Sequence, residues 1–249
     1  MADLVLVDSL DDVVVLRMDH GKVNALDVEL LLAVREALAQ VPAEAAVVLT
    51  GNDRAFSAGL DLRRLLESPL DYSDQLLDEL TTTCLAIFDH SRPVVAAING
   101  AAIAGGAMLA LAADVRLMSQ GVIGLPELKV GVPIPSPLME LARYVLGHHL
   151  TRHVLQAVAV DPQSAQAIGM IDEVVEAELL LDRAVAEAQS LAEVPVVTYA
   201  LMKQGLHAEA RDLMDAGTPE GDDEVADAWT SPEVRAQIQA QVDRMSKRS

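Results

Sequence analysis

The chain has 249 residues, enough for one large domain or two small ones with a substantial core. Half of the residues are apolar but only 2% are aromatic, so the core must be built from aliphatic side chains. The formal net charge of −20 opposes binding to nucleic acid or to an anionic membrane, and we expect neither as a partner.

The first half of the chain alternates predicted strands with predicted helices. Strands are expected over residues 5–7, 13–18, 46–50, 93–98 and 114–118, the first two as a hairpin. A helix capped by Asp27 follows the hairpin, and further helices are predicted over residues 70–88 and 105–113. This alternation is typical of a parallel sheet with crossover helices.

From about residue 137 onward the pattern becomes helical. Helices are predicted over residues 138–146, 149–158, 162–167, 179–191, 197–215 and 231–247. The glycine, proline and aspartate residues between 217 and 223 predict an exposed, mobile loop. We therefore expect a core over residues 1–190 and a helical C-terminal region over residues 191–249.

The last helix carries start signals and an apolar stripe. Ser231 is suited to the N-cap, and Pro232 to the first helical position. The stripe consists of Val234, Ile238, Val242 and Met245. Because such a face needs a partner surface, it favours assembly of several chains.

Several classes of feature are missing from the sequence. The single cysteine, Cys84, allows no internal disulfide and no cysteine zinc cluster, and we expect it to be a buried hydrophobe. His149 and His153 have helical spacing but lack an evident third ligand, so no metal site is predicted. The N-terminus does not resemble a signal peptide, and the longest apolar run, residues 107–113, is far too short for a membrane span. We expect a cytoplasmic protein.

Two glycine turns carry the main chemical signal. Residues 56–62 read FSAGLDL, and residues 99–106 read NGAAIAGG; each follows a β-rich stretch. Glycine permits close approach of a ligand, and a helix start offers unpaired N–H groups that can face negative charge. Two such groups directed at one point would form an oxyanion hole, which stabilises an enolate or a tetrahedral thioester oxygen.

These turns and other short motifs resemble the crotonase superfamily of enoyl-CoA hydratases and isomerases over nearly the full chain. The further matching segments are NAL at 24–26, VLTG at 48–51, RPV at 92–94, AD at 113–114, PE at 126–127, LG at 146–147 and AQAIGMID at 165–172. The resemblance implies an α/β fold, a spiral of ββα units, followed by a helical C-terminal region that packs trimers. We accordingly expect a homotrimer, or a hexamer made of two trimers.

The resemblance also implies catalytic positions. The oxyanion N–H groups would come from Leu60 and Gly105. Hydratases of the family use two glutamates; Glu127 matches the second, but Met108 occupies the position of the first. Methionine cannot accept a proton and suits an apolar pocket. Apolar neighbours around Glu127 should raise its pKa and make it a usable base.

A single glutamate favours one chemistry over the others. The Δ3,Δ2-enoyl-CoA isomerases of the superfamily share this pattern, since one carboxylate can take a proton from C2 and return it at C4. The predicted activity is therefore isomerisation of 3-enoyl-CoA to 2-enoyl-CoA. The alternatives are an enoyl-CoA hydratase and a non-catalytic acyl-CoA-binding trimer, and the acyl chain length stays open.

An acyl-CoA substrate implies a local anion-binding patch on this acidic protein. The substrate-binding segment would include Ala58, Asp61 and Leu62, with Arg63 as the principal cation for CoA. Lys22 and Arg64 are further candidates because they are nearby. The resemblance adds Arg244 or Lys247 on the last helix, which in relatives often comes from a neighbouring subunit. CoA is part of the substrate, so we expect no separate cofactor.

Overall fold

The computed structural model describes residues 4–216 and 219–247. Ten strands are present in this part of the chain: β1 Val5–Leu10, β2 Val13–Met18, β3 Ala46–Thr50, β4 Ala55–Ser57, β5 Val94–Ile98, β6 Ala101–Ile103, β7 Val115–Met118, β8 Ile123–Gly124, β9 Ala159–Val160 and β10 Glu173–Val174. The α-helices in the same residues are α1 Val28–Ala39, α2 Leu62–Glu67, α3 Asp71–Phe88, α4 Gly105–Leu111, α5 Glu127–Val130, α6 Ser136–Leu146, α7 Leu150–Gln156, α8 Pro162–Ala167, α9 Leu180–Ala192, α10 Val196–Asp215, α11 Pro219–Thr230 and α12 Pro232–Ser246.

The strands form two sheets in an alternating manner. The larger sheet has the order β1-β2-β3-β5-β7-β10 and is parallel except for the β1–β2 hairpin. The smaller sheet has the order β4-β6-β8-β9. Each successive pair, β3–β4, β5–β6 and β7–β8, thus places one strand in each sheet before the chain turns into a helix. This arrangement is the predicted spiral of ββα units.

The larger sheet is buried on both faces at its centre. Its central strands β3 and β5 consist of Ala, Val, Leu, Ile and Thr residues with every position buried, as expected for parallel strands covered on both sides. One face packs on α9 through Ala184 and Ala188. The other face joins the main core, which also contains α1, α3 and α4.

The predicted elements match the observed ones closely in the first half of the chain. Asp27 caps α1, its carboxylate accepting a hydrogen bond from the N–H of Leu30 at 2.8 Å. Strand β1 extends three residues beyond the predicted end, and the short strands β4, β6 and β8 and the short helix α2 were not predicted. No helix within the described residues is long and apolar enough to cross a bilayer.

The C-terminal helix finds its partner surface within its own chain, which corrects one prediction. Ser231 caps α12 as expected, and Ile238 and Val242 are buried. The helix packs against α2, α5 and α11, and Arg235 donates a hydrogen bond from Nη2 to the carbonyl of Leu66 at 3.0 Å. The apolar stripe is therefore no evidence for a trimer.

The predicted loop over residues 217–223 is wrong for most of its length. Helix α11 begins at Pro219 and includes residues 219–223, while residues 217 and 218 lie outside the described part of the chain. A proline and several acidic residues are also what a helix start favours, so the two signals coincide.

Candidate active site

A cavity of about 370 Å³ lies between the two glycine turns, α5 and the C-terminal helices. Its lining residues come from distant parts of the chain: Val23, Ala25, Ala58, Leu60, Asp61, Leu62, Arg63, Leu77, Leu80, Ile103, Ala104, Gly105, Met108, Pro126, Glu127, Val130, Val132, Pro133, Ile134, Pro135, Leu138, Trp229, Gln241 and Met245. The volume and the apolar lining are typical of a site for a small organic molecule.

The two glycine turns pack directly on each other. Gly59 has φ +86°, and a Cβ atom there would lie 2.6 Å from the carbonyl oxygen of Ile103. A Cβ atom on Gly106 would lie 2.6 Å from the carbonyl oxygen of Ser57. Both contacts exclude any side chain, so glycine at these positions is a requirement of the close approach of the turns.

A third segment fixes the first turn from the other side. The side-chain amide of Asn24 donates hydrogen bonds to the carbonyls of Ala55 and Phe56, at 3.2 and 3.1 Å. Leu26 forms a parallel bridge with Leu60, in which the N–H of Leu26 bonds to the carbonyl of Gly59 and the N–H of Asp61 bonds to the carbonyl of Leu26.

One N–H group at each turn has no acceptor among the described residues. The N–H of Leu60 lies between the two bridging bonds, and the N–H of Gly105 is at the first position of α4. Neither finds an acceptor within residues 4–216 and 219–247. Both residues line the same cavity. Two unpaired N–H groups at one cavity are able to hold an oxygen atom that carries negative charge.

The residue before Gly105 adopts a strained backbone conformation. Ala104 has φ +53° and ψ −121°, a region that only glycine enters at low cost. Its N–H is bonded to the carbonyl of Gly124 at 2.9 Å, and its methyl group lies beside Gly59. Neighbouring strands thus hold Ala104 in the conformation that starts α4 and presents the Gly105 N–H.

Glu127 brings a carboxyl group to this apolar cavity. It is the first residue of the four-residue helix α5, which ends at Gly131 in the left-handed conformation. The side chain is buried, and its Oε2 atom has no hydrogen-bond partner among the described residues. Burial raises the pKa of Glu127 to about 7, so the group is poised to accept or release a proton near neutral pH.

Met108 also lines the cavity, as predicted. It lies on α4 one turn after Gly105 and is 1% exposed. Asp61 is the other carboxylate among the described cavity residues, but its Oδ1 accepts hydrogen bonds from the N–H groups of Arg63 and Arg64 as the N-cap of α2. Glu127 is therefore the buried carboxylate of the cavity, whereas Asp61 is half-buried and serves as a helix cap.

The predicted CoA-binding residues are brought together only in part. Ala58, Asp61, Leu62 and Arg63 all line the cavity, and Arg63 is exposed at its edge. Lys22 is exposed next to Val23, which lines the cavity, although Lys22 itself does not.

Two other predicted cations are engaged elsewhere. Arg64 pairs with the carboxylates of Asp27 and Glu29 at 2.6 and 2.5 Å, so it is not available to CoA as an unpaired cation. Arg244 does not line the cavity of its own chain; it donates to Oε1 of Gln241 at 2.9 and 3.1 Å, and Gln241 lines that cavity. A role for Arg244 in a neighbouring subunit stays a prediction.

Sequence reasoning missed the part of the wall that α11 and α12 provide. Trp229, Gln241 and Met245 line the cavity from the same chain that holds Glu127. The apolar stripe on the last helix was the available signal, since Met245 belongs to it. The pattern could not identify which surface the stripe covers.

The remaining cysteine and histidine predictions concern residues away from this cavity. Cys84 is fully buried, and burial raises the pKa of its thiol, as expected for a buried hydrophobe. His153 is buried in α7, where burial lowers its pKa, while His149 precedes that helix. The described residues contain no group of three or more His, Cys, Asp or Glu side chains placed to hold a metal ion.

Comparison with known proteins gives consistent matches across the chain. Residues 9–243 match the family model described as enoyl-CoA hydratase/isomerase. The 2,3-dehydroadipyl-CoA hydratase of Escherichia coli K12 is 29% identical over 199 residues, covering 78% of this chain and 77% of that protein.

Solved structures with both activities are similar to this fold. The human mitochondrial Δ3-Δ2-enoyl-CoA isomerase superposes with a TM-score of 0.90 at 25% identity, covering 99% of each chain. An enoyl-CoA hydratase from Mycobacterium marinum gives a TM-score of 0.82 at 30% identity, covering 89% of this chain and 99% of that one. The similar structures therefore include both an isomerase and a hydratase.

Proposed function

Because this chain belongs to the enoyl-CoA hydratase/isomerase family, we propose that it is an isomerase that converts 3-enoyl-CoA to 2-enoyl-CoA. The observation that carries the proposal is the pairing of Glu127, a buried carboxyl with an unpartnered oxygen, with Met108 at the other family glutamate position. A thioether cannot hold and deprotonate water, whereas isomerisation requires no water.

The proposed reaction moves one proton and one double bond. The Glu127 carboxylate removes a proton from C2, and the C2–H electron pair moves into the thioester to give a dienolate. The N–H groups of Leu60 and Gly105 stabilise the negative oxygen of this intermediate. The protonated Glu127 then returns the proton to C4, leaving the double bond between C2 and C3.

The pKa of Glu127 suits this shuttle. A carboxyl with a pKa of about 7 is ionised in a large fraction of molecules at neutral pH, yet it is a stronger base than an exposed glutamate. Its apolar surroundings also exclude water, which protects the dienolate from protonation by solvent.

Replacing Glu127 with glutamine tests its assigned role. Glu127→Gln should reduce kcat/KM for isomerisation by at least ~10²-fold, the usual lower scale for loss of a general base. Binding of a saturated acyl-CoA should be retained, because the amide keeps the shape of the cavity. Isomerisation by the variant at a near-normal rate would remove Glu127 from the mechanism.

We further propose that the chain assembles as a trimer, or as a hexamer of two trimers, through α10. This helix exposes five large apolar side chains, Val197, Leu201, Met202, Leu206 and Leu213. Exposed apolar surface of this extent on one helix is typical of a protein–protein interface. Light scattering at micromolar concentration should give at least three times the chain mass, and Leu201→Asp with Leu206→Asp should lower it; a monomeric wild type would refute the proposal.

A further inference from the structure

We propose that the cavity selects acyl chains that carry no charged group at their far end, and that Trp229 limits how far the acyl chain can extend. This inference rests on the proposed acyl-CoA function. It concerns the part of the cavity wall that α11, α12 and the segment after α5 provide.

The cavity offers no cation to a charged acyl end except at its edge. Among the described residues, the charged side chains that line it are Asp61, Arg63 and Glu127. Arg63 is exposed and donates from Nη2 to the Ser246 hydroxyl at 3.2 Å, so it lies at the solvent side. Glu127 is itself acidic and would repel a second carboxylate.

The remaining wall is almost wholly apolar. It is formed by Leu77, Leu80, Met108, Val130, Val132, Ile134, Leu138, Trp229 and Met245, together with prolines and small residues. The polar exception is Gln241, whose side chain is uncharged and so offers no cation to a carboxylate. A carboxylate buried against this wall would lose its water without gaining a cation, which is strongly unfavourable.

Trp229 is a fixed part of this wall. Its side chain is buried, with the residue 3% exposed, and its indole N–H donates to the carbonyl of Pro133 at 3.0 Å. That bond satisfies the one polar group of the ring, so the rest of its surface meets the cavity as hydrocarbon. The indole thereby joins α11 to the loop that follows α5.

The residues of α11 beside Trp229 lie near the protein surface. On α11 the nearby residue Asp227 is exposed, and Ala228 and Thr230 are partly exposed, so the outer side of this helix faces solvent. Removing the ring should therefore enlarge the cavity on the side of α11. With the ring in place, the whole cavity of about 370 Å³ corresponds to the liquid volume of roughly a dozen water molecules.

Binding of saturated acyl-CoA thioesters tests the inference without depending on turnover. Dissociation constants are measured by calorimetry for butanoyl-, hexanoyl-, octanoyl-, hexadecanoyl- and hexanedioyl-CoA. Hexanoyl-CoA should bind at least ~10²-fold more tightly than hexanedioyl-CoA, because only the latter buries a carboxylate. Equal binding of these two thioesters would overturn the apolar selectivity while leaving the acyl-CoA function intact.

Two variants test the role of Trp229. In Trp229→Ala, hexadecanoyl-CoA should gain at least ~10-fold in affinity relative to hexanoyl-CoA, since each newly buried methylene adds roughly fourfold. Trp229→Phe retains an aromatic wall and should retain the wild-type order, which also controls for loss of folding. An unchanged chain-length profile in a folded Trp229→Ala would overturn the limit. Failure of every thioester to bind wild type would instead refute the proposed function.

Discussion

Replacing Glu127 with glutamine should raise the free energy of unfolding relative to wild type, and this gain should be larger at high pH than at low pH. Burial raises the pKa of Glu127 from an ordinary value of 4.5 to about 7, so the folded chain holds a proton that the unfolded chain releases between these values. The stability of wild type therefore falls as pH rises through this interval. The glutamine variant lacks this contribution at every pH.

The size of the effect follows from the pKa rise. Each pKa unit corresponds to about 1.4 kcal/mol, so ionising the buried carboxyl costs the folded state about 3 kcal/mol. The difference in free energy of unfolding, variant minus wild type, should become more positive by about this amount between pH 4 and pH 8.5. Taking this difference cancels the titration of the other groups.

Urea unfolding of both proteins at the two pH values measures this difference, at one protein concentration so that assembly contributes equally. Glu36→Gln, an exposed change on α1, is the matched control for converting a carboxylate to an amide. A difference that stays constant with pH, or that moves in the opposite direction, would refute the conclusion that Glu127 is a buried group with a raised pKa.

Three further outcomes are expected. The kcat/KM for isomerisation should rise tenfold per pH unit below pH 7 and level above it, because Glu127 must begin as a carboxylate; a flat profile from pH 5 to 8 would contradict its role as base. Ala104→Gly should stabilise the fold by about 1 kcal/mol in urea unfolding through relief of its strained backbone, and destabilisation would contradict that account. Met108→Glu should lower the free energy of unfolding by at least ~2 kcal/mol, because it buries an unpaired polar group, even if the variant adds water to 2-enoyl-CoA faster than wild type does. Unchanged stability would show that water reaches the cavity wall at this position.

The features that follow local sequence rules could be predicted. Period-two and unbroken apolar runs identified β2, β3, β5 and β7, and the cap at Asp27 identified the start of α1. The requirement for glycine at two turns, together with the family resemblance, placed Leu60, Gly105, Met108 and Glu127 at one site. The structure brings these four residues to a single cavity.

The rest depends on contacts between segments that are far apart in the chain. Trp229 meets Pro133 across 96 positions, and nothing in either local sequence specifies that contact. The same holds for Arg64, which reads as a free cation near the glycine turn but lies within reach of Asp27 and Glu29 after folding. The division at residue 190 stays a prediction.

The central claim is that one carboxylate serves an isomerase rather than a hydratase, and a comparison of two rates tests it most directly. Wild-type protein is supplied in separate assays with 3-enoyl-CoA and with 2-enoyl-CoA of the same chain length, and products are resolved by mass spectrometry. Conversion of the 3-enoyl thioester to its 2-enoyl isomer should be far faster than formation of the 3-hydroxyacyl thioester, which gains the mass of water. Hydration as fast as isomerisation, or faster, would contradict the assignment.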